Sequence, residues 1–199
     1  MAYLADYCRL ASLASRIKTD NYHFSCGNED LDDFFQNDSL AYEKQMMGKS
    51  YCFYDKEKPE QIVAAFTVSN ASIHNRMLTS SAKKNMAQNV DREKANINFP
   101  AVLIGRLGIN SSYQGKGIGT ELMNFIKVWF IEPSNKTACR YLLVDAYNNP
   151  ATLNYYQHNG FKFIFNNVQS EKKYRQLEHI EGELHTRLMY FDLILANPF

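Results

Sequence analysis

Gln114-Gly115-Lys116-Gly117-Ile118-Gly119 sets three alternating glycines between two stretches of different periodicity. Ahead of them, the apolar run Ala101-Val102-Leu103-Ile104 continues through Arg106-Leu107-Gly108-Ile109 and reads as a covered strand. Behind them, Ile118, Leu122, Phe125, Ile126 and Trp129 recur at the 3.6-residue period of a helix with one buried face, ended by Glu132-Pro133-Ser134-Asn135. Residues without a Cβ let the chain bend tightly and turn successive backbone N–H groups toward one spot. That spot lies over a helix N-terminus, where an anion such as phosphate is favoured.

The rest of the chain supplies strands and helices in alternation. A short strand is expected near Tyr7–Leu13. Asn28 can cap a helix over about residues 29–43, whose first turn is crowded with Glu29, Asp30, Asp32 and Asp33 and whose apolar face carries Leu31, Phe34 and Phe35. Tyr51–Tyr54 and Ile62–Val68 read as an antiparallel hairpin around the charged turn Lys56–Glu60. Asn70–Asn98, polar and long, reads as an insertion over one face of the core, with a short helix around Ala82–Val90. Tyr141–Ala146 is the next strand, and Asn148-Asn149-Pro150 turns the chain into a helix at about 151–159, ended by Gly160. Phe161–Phe165 and Arg187–Leu195 are further strands, separated by the charged stretch Glu171–Glu183, which suits a solvated face or a partner surface. The expected fold is α/β (α+β): a mixed, mostly antiparallel sheet of about six or seven strands with flanking helices, in a single domain spanning residues 1–199 with an insertion at about 70–98.

Charge and composition narrow the classes. The 22 Lys and Arg against 21 Asp and Glu exclude a domain whose affinity rests on overall positive charge. A local basic face from Lys44, Lys49, Lys83, Lys84, Arg92, Lys94 and Arg106 stays open. An apolar share of 45% and an aromatic share of 14% exclude a disordered chain. Cys8, Cys26, Cys52 and Cys139 form neither a dense disulfide scaffold nor a C-x-x-C site, and each reads as a small buried hydrophobe. The five His residues form no ligand cluster, so no metal is expected. With no signal-peptide pattern and no apolar run long enough for a bilayer, a cytoplasmic protein without a membrane partner is expected.

Three phosphate sites can be weighed against the glycine loop. No Lys followed by Ser or Thr sits in the loop, as a P-loop needs. The glycine spacing and the late position do not suit a dinucleotide fold. A coenzyme A pyrophosphate, which needs only backbone donors, fits better, and its pantetheine arm can pair along the adjoining strand. The glycines alone also suit a plain strand-to-helix turn. A second constellation, Asn148 to Phe161, sets a short helix with adjacent Tyr155 and Tyr156 beside the same sheet.

Together these stretches resemble the GCN5-related N-acetyltransferase (GNAT) superfamily. Its [Q/R]-x-x-G-x-[G/A] loop is similar to Gln114–Gly119, and its N-x-x-A-x-x-x-Y-x-x-x-G-F signature resembles Asn148, Ala151, Tyr156, Gly160 and Phe161. The resemblance implies acetyl-CoA as cosubstrate, no metal, and a sheet with splayed central strands. It implies a pyrophosphate cradle at the N–H groups of Gly115, Lys116, Gly117, Ile118 and Gly119, introduced by Gln114. Leu107 and Ile109 match strand positions whose backbone meets the acetyl group and pantetheine. Tyr156 matches the general acid, and Asn148 the residue that contacts the pantetheine arm or orients the helix. A protonated phenol suits donation to a departing thiolate, and a backbone N–H suits polarisation of the carbonyl. No acid lies on Ala101–Ile109, which leaves Asp145 as the candidate base, or an amine that arrives neutral.

The acceptor is then a primary amine of a small molecule or protein, or the amino acid on charged tRNA. Phe24-Ser25-Cys26-Gly27-Asn28-Glu29-Asp30-Leu31-Asp32-Asp33-Phe34 resembles the F-x-C-G-x-x-x-L-D-x-[F/W] opening of acetyltransferase toxins that modify aminoacyl-tRNA. Gly105-Arg106-Leu107 and Thr186–Tyr190 are similar to strands of the same enzymes, though Gly108 stands where Ala is commoner. That branch implies an antitoxin partner, and the fold commonly forms a homodimer. A non-catalytic acyl-CoA-binding module is the reading from a different class.

Overall fold

The computed structural model of the protein describes residues 2–17, 22–86, 98–135 and 137–196. Among them, strands β1 (Cys8–Ser12), β2 (Lys49–Asp55), β3 (Ile62–Ile73), β4 (Phe99–Ile109), β5 (Tyr141–Tyr147), β6 (Lys162–Phe163) and β7 (Thr186–Asp192) form one mixed sheet. Their order is β1-β2-β3-β4-β5-β7-β6. The helices are α1 (Tyr3–Tyr7), α2 (Leu13–Ile17), α3 (Glu29–Asp33), α4 (Ser39–Lys44), α5 (Ser80–Met86), α6 (Ile118–Ile131), α7 (Pro150–His158) and α8 (Val168–Arg175). The chain divides into two units, Met1–Asn70 with Ile104–Trp129, and Ala71–Leu103 with Phe130–Phe199.

In the first unit, β1, β2 and β3 pair antiparallel in sequence, with Cys8 opposite Asp55 and Lys49 opposite Val68. Leu13, Phe34, Phe35, Cys52, Ile62 and Ala65 form its core, so the apolar face expected on the 29–43 helix is the face that is buried. That helix is interrupted. Asn28 caps α3 by accepting from the Leu31 N–H, but Phe34–Asp38 is a π turn in which the Ser39 N–H reaches back five residues to the Phe34 carbonyl. Phe34, which opens that turn, and Phe35 are both buried. On α6, Ile118, Leu122, Met123 and Ile126 are buried, while Phe125 and Trp129 meet Phe53 and Tyr51 edge-on at 4.9 and 4.8 Å.

In the second unit, β5 and β7 pair along their whole lengths, from Tyr141 opposite Asp192 to Tyr147 opposite Thr186. Tyr141 is fully buried in a cluster with Phe99, Met86, Ile164, Phe165 and Tyr190, and its hydroxyl donates to the Met86 carbonyl. The stretch read as an insertion from Asn70 begins later, because β3 runs on to Ile73. A 3-10 turn at Asn75–Met77 and α5 follow, while residues 87–97, including the end of the expected helix, Arg92 and Lys94, lie outside the described residues. The strand expected at Phe161–Phe165 shortens to Lys162–Phe163, with Phe161, Ile164 and Phe165 buried on either side of it.

The charged stretch Glu171–Glu183 is corrected more deeply. Asn167 caps α8, and this helix turns Glu171 inward until it is fully buried. Its carboxylate accepts from Arg187 Nε at 2.8 Å and from the Leu188 N–H at 2.6 Å, with Arg175 Nη1 at 3.5 Å. Lys172 is likewise buried and donates to the Ile180 and Gly182 carbonyls. Glu171 and Lys172 thus have their charges satisfied inside the fold, while Lys173, Glu178, Glu181 and Glu183 stay exposed as a solvated face requires. Replacing Glu171 by Ala strands Arg187 without its partner and is expected to cost about 3–5 kcal/mol. In urea denaturation this reads as a lower midpoint at unchanged slope.

Candidate functional site

β4 ends at Ile109, and Asn110 redirects the chain. Its N–H donates to the Val63 carbonyl at 2.9 Å, its Nδ2 to the Ile62 carbonyl at 2.9 Å, and its Oδ1 accepts from the Ser112 N–H at 3.1 Å. A 3-10 turn at Ser111–Tyr113 leads into the glycines. Gln114 Nε2 donates to the carbonyls of Ile109 and Cys26 at 2.9 and 2.8 Å, so Gln114 buttresses the loop from behind. Lys116 Nζ folds back on the Ser112 carbonyl at 2.8 Å.

Gly115 and Gly117 have φ of +72° and +80°, with open space where a Cβ would stand. Backbone conformation rather than crowding therefore demands glycine there. The Glu121 N–H bonds to the Gly117 carbonyl, so the N–H groups ahead of it precede the α6 ladder. These donors suit an anion with several oxygens, such as a pyrophosphate. On β4 itself, Leu107 and Ile109 are half-buried and share a face with exposed Gly105, whereas Val102, Ile104 and Gly108 on the other face are buried.

The buried face meets the segment Phe24–Phe34. A Cβ at Gly108 would come within 3.1 Å of both Phe24 and Cys26, so the glycine is what lets this segment seat on the strand. The Ser25 carbonyl accepts from the Ser111 N–H and hydroxyl at 2.9 and 2.7 Å. Asp32 takes the Cys26 N–H and the Ser25 hydroxyl, both at 2.7 Å. Burial alone would raise the Asp32 pKa, but these hydrogen bonds outweigh it and hold the carboxyl below its ordinary value. The Cys26 thiol is pushed up to about 11, first by burial and then by its bond to Asp32, which keeps it from acting as a nucleophile near neutral pH.

The second unit holds the remaining candidates. The signature's step from Asn to Tyr, counted back from Tyr156, falls on Asn149 rather than Asn148, and the two neighbours do different work. Asn149 caps α7 by accepting from the Thr152 N–H at 2.9 Å, with Pro150 in the first turn. Asn148 straps the turn to the start of β7, its Nδ2 donating to the Leu184 carbonyl at 2.8 Å and its N–H to the His185 carbonyl at 2.9 Å. Tyr156 is 9% exposed and packs on Tyr155 and Phe161. Burial alone raises its phenol pKa well above the usual range, so it stays protonated at any physiological pH. Asp145 is engaged by Arg175 Nη2 at 2.9 Å, a structural ion pair that competes with any role as base.

Residues 82–163 match the family model of the acetyltransferase (GNAT) domain. Over that span the chain is similar to a GNAT domain. Every candidate site residue, from Leu107 to Tyr156, lies inside the matched span. The chain is 25% identical over 139 residues to a tRNA-acetylating toxin of Mycobacterium tuberculosis, covering 70% of this chain and 76% of that protein. Its fold is similar to AtaT complexed with acetyl-methionyl-tRNAfMet, at a TM-score of 0.61 and 20% identity over 95% of this chain and 96% of that one. It is also similar to a Tyr-to-Phe mutant of AtaT bound to the C-terminus of the antitoxin AtaR and acetyl-CoA, at 0.61 and 18%, covering 96% of each chain.

Around the glycine loop, sequence reading gave no role to Asn110. An Asn followed by two serines at a strand end is an Asx-turn signal, but not one that reveals its two bonds to β3. Replacing Asn110 by Ala leaves the buried Ile62 carbonyl without the amide donor. We expect a loss of about 1–3 kcal/mol in chemical denaturation, with faster hydrogen exchange at the Ser112 amide.

Proposed function

We propose that this protein transfers the acetyl group of acetyl-CoA to the α-amino group of the amino acid on charged tRNA, in the cytoplasm, as the toxin of a pair held in check by an antitoxin. The observation that carries this reading is the junction between the toxin-like opening and the glycine loop. Ser25 and Cys26 give their carbonyls to Ser111 and Gln114, and Gly108 makes room for Phe24 and Cys26. The motif that resembles the tRNA-acetylating branch is thus part of the frame of the cosubstrate loop. The names and bound molecules of the relatives point the same way.

Within this reading acetyl-CoA supplies an activated acetyl thioester. The N–H groups of Gly115–Gly119, introduced by Gln114, hold its pyrophosphate, and the positive φ of Gly115 and Gly117 fits that duty. Backbone groups at Leu107 and Ile109 receive the acetyl carbonyl and pantetheine, where a fixed N–H favours developing oxyanion charge. Asn148 holds the turn that orients α7, and Tyr156 gives its phenolic proton to the departing sulfur. An α-amino group titrates near 7.7–8.0, so a useful fraction is neutral at physiological pH without a dedicated base.

The test is transfer of labelled acetyl to a pool of aminoacyl-tRNA, beside uncharged tRNA and a panel of polyamines, amino acids and peptides. Label confined to charged tRNA is the expected outcome; label on the panel alone would replace this reading with a metabolic or protein acetyltransferase. Tyr156→Phe should lower turnover by about 10²–10⁴-fold while acetyl-CoA affinity is kept, measured by single-turnover kinetics and calorimetry. Wild-type turnover in that variant would remove Tyr156 from the chemistry.

A further inference from the structure

Arg106 stands on β4 one residue before Leu107, half-buried, with its guanidinium lying 3.8 Å from the centroid of the Phe34 ring and 5.9 Å from that of Tyr42. Stacking engages the flat face of a guanidinium. Its five N–H donors lie in the plane and need acceptors at the edge. Among the described residues none is supplied: no carboxylate comes within ion-pair distance, and Nε is buried without a hydrogen-bond partner. Arg16 also lies over a ring, that of Tyr54, but donates to the Pro59 carbonyl, and three further arginines have carboxylate partners. Arg140 pairs with Asp192, Arg175 with Asp145 and Arg187 with Glu171.

A half-buried charge held in one orientation by aromatic rings, with its edge unanswered, is costly unless something completes it. The surroundings fix the plane and bury Nε, which leaves the two Nη groups as the free end of the fork, an arrangement that binds a two-oxygen anion end-on. The chain spends Phe34, buried by the π turn, on holding that plane.

We propose that Arg106 is the acceptor's anion anchor, binding an oxyanion of the molecule whose amine is acetylated. The chemistry is that of a phosphodiester or a carboxylate. On charged tRNA the amino acid's own carboxyl is esterified, so the anion there is a phosphodiester of the acceptor end. On a free amino acid or peptide it is the carboxylate. This proposal rests on the acetyl-transfer reading above and adds to it how the acceptor is gripped.

Arg106→Gln keeps a planar group over Phe34 and removes the charge, while Arg106→Lys keeps the charge and stem but loses the fork. Initial rates are measured against charged tRNA at several salt concentrations, with thermal melts reporting folding. For Arg106→Gln the KM for charged tRNA should rise at least tenfold, with the KM for acetyl-CoA unchanged. The slope of log KM against log salt should fall by about 0.7, the value for one lost single-strand phosphate contact. Should Arg106→Gln not fold, Arg106→Lys carries the same readout, with KM several-fold higher. Unchanged acceptor KM and salt slope in a folded variant would overturn the anchor while leaving the tRNA reading intact.

If the wild-type protein ignores charged tRNA, the tRNA reading fails and the anchor is judged on the amine panel. A wild-type preference for amino acids over their methyl esters, lost in the Arg106 variants, would support it. Equal use of acids and esters, or a preference for polyamines, would overturn it.

Discussion

The buried carboxamide of Asn110 is the joint on which the first unit turns. One side chain donates to β3, accepts from the turn that follows, and sits beside an N–H that also bonds to β3. Everything the glycine loop offers depends on that anchorage, since backbone donors are useful only when they converge. Gln114 then ties the loop to Ile109 and Cys26, and Ser111 ties it to Ser25. The loop is therefore preorganised by ordinary hydrogen bonds made behind it, and its φ-positive glycines face a prospective anion with their shape already set.

In the second unit the corresponding work falls to a buried carboxylate. Glu171 gathers Arg187, Arg175 and the Leu188 N–H, and Arg175 extends the network to Asp145 on β5. β5 leads into the turn that Asn148 straps and Asn149 caps, and so into the helix that carries Tyr156. The phenol's surroundings are apolar while its support is ionic. This division keeps the proton on Tyr156 without placing a charge beside it.

Much of this was legible from residues alone. The loop, the helix behind it and the helix of Tyr156 were readable because their constraints are local: a φ that only glycine tolerates, a 3.6-residue stripe, an Asn-Pro start. The mixed sheet expected with about six or seven strands has seven among the described residues. What escaped depends on distant partners. Nothing in the letters Glu171, Lys172 and Arg175 distinguishes a solvated helix face from an internal network, because the deciding partners are Arg187, Asp145 and the Gly182 carbonyl. Asn110 was passed over, and Arg106 was seen only as a strand residue and a member of a basic face, for the same reason. Asn148 and Asn149 are alike as letters, and only their separate hydrogen bonds tell the strap of the turn from the cap of the helix.

The π turn at Phe34–Asp38 bears on how such a protein can change over generations. Its five-residue step stores one residue more than the helix needs to reach α4. Each residue of an α-helix advances the chain by about 100°, and the π turn takes up one such step, so losing one residue there would restore an ordinary ladder and leave α4 near its present orientation. Tyr42 would then stay the second ring beside Arg106. A single-codon deletion among the exposed residues Gln36–Asp38 is thus a step a descendant gene could take while keeping its helix register, its loop and Tyr156.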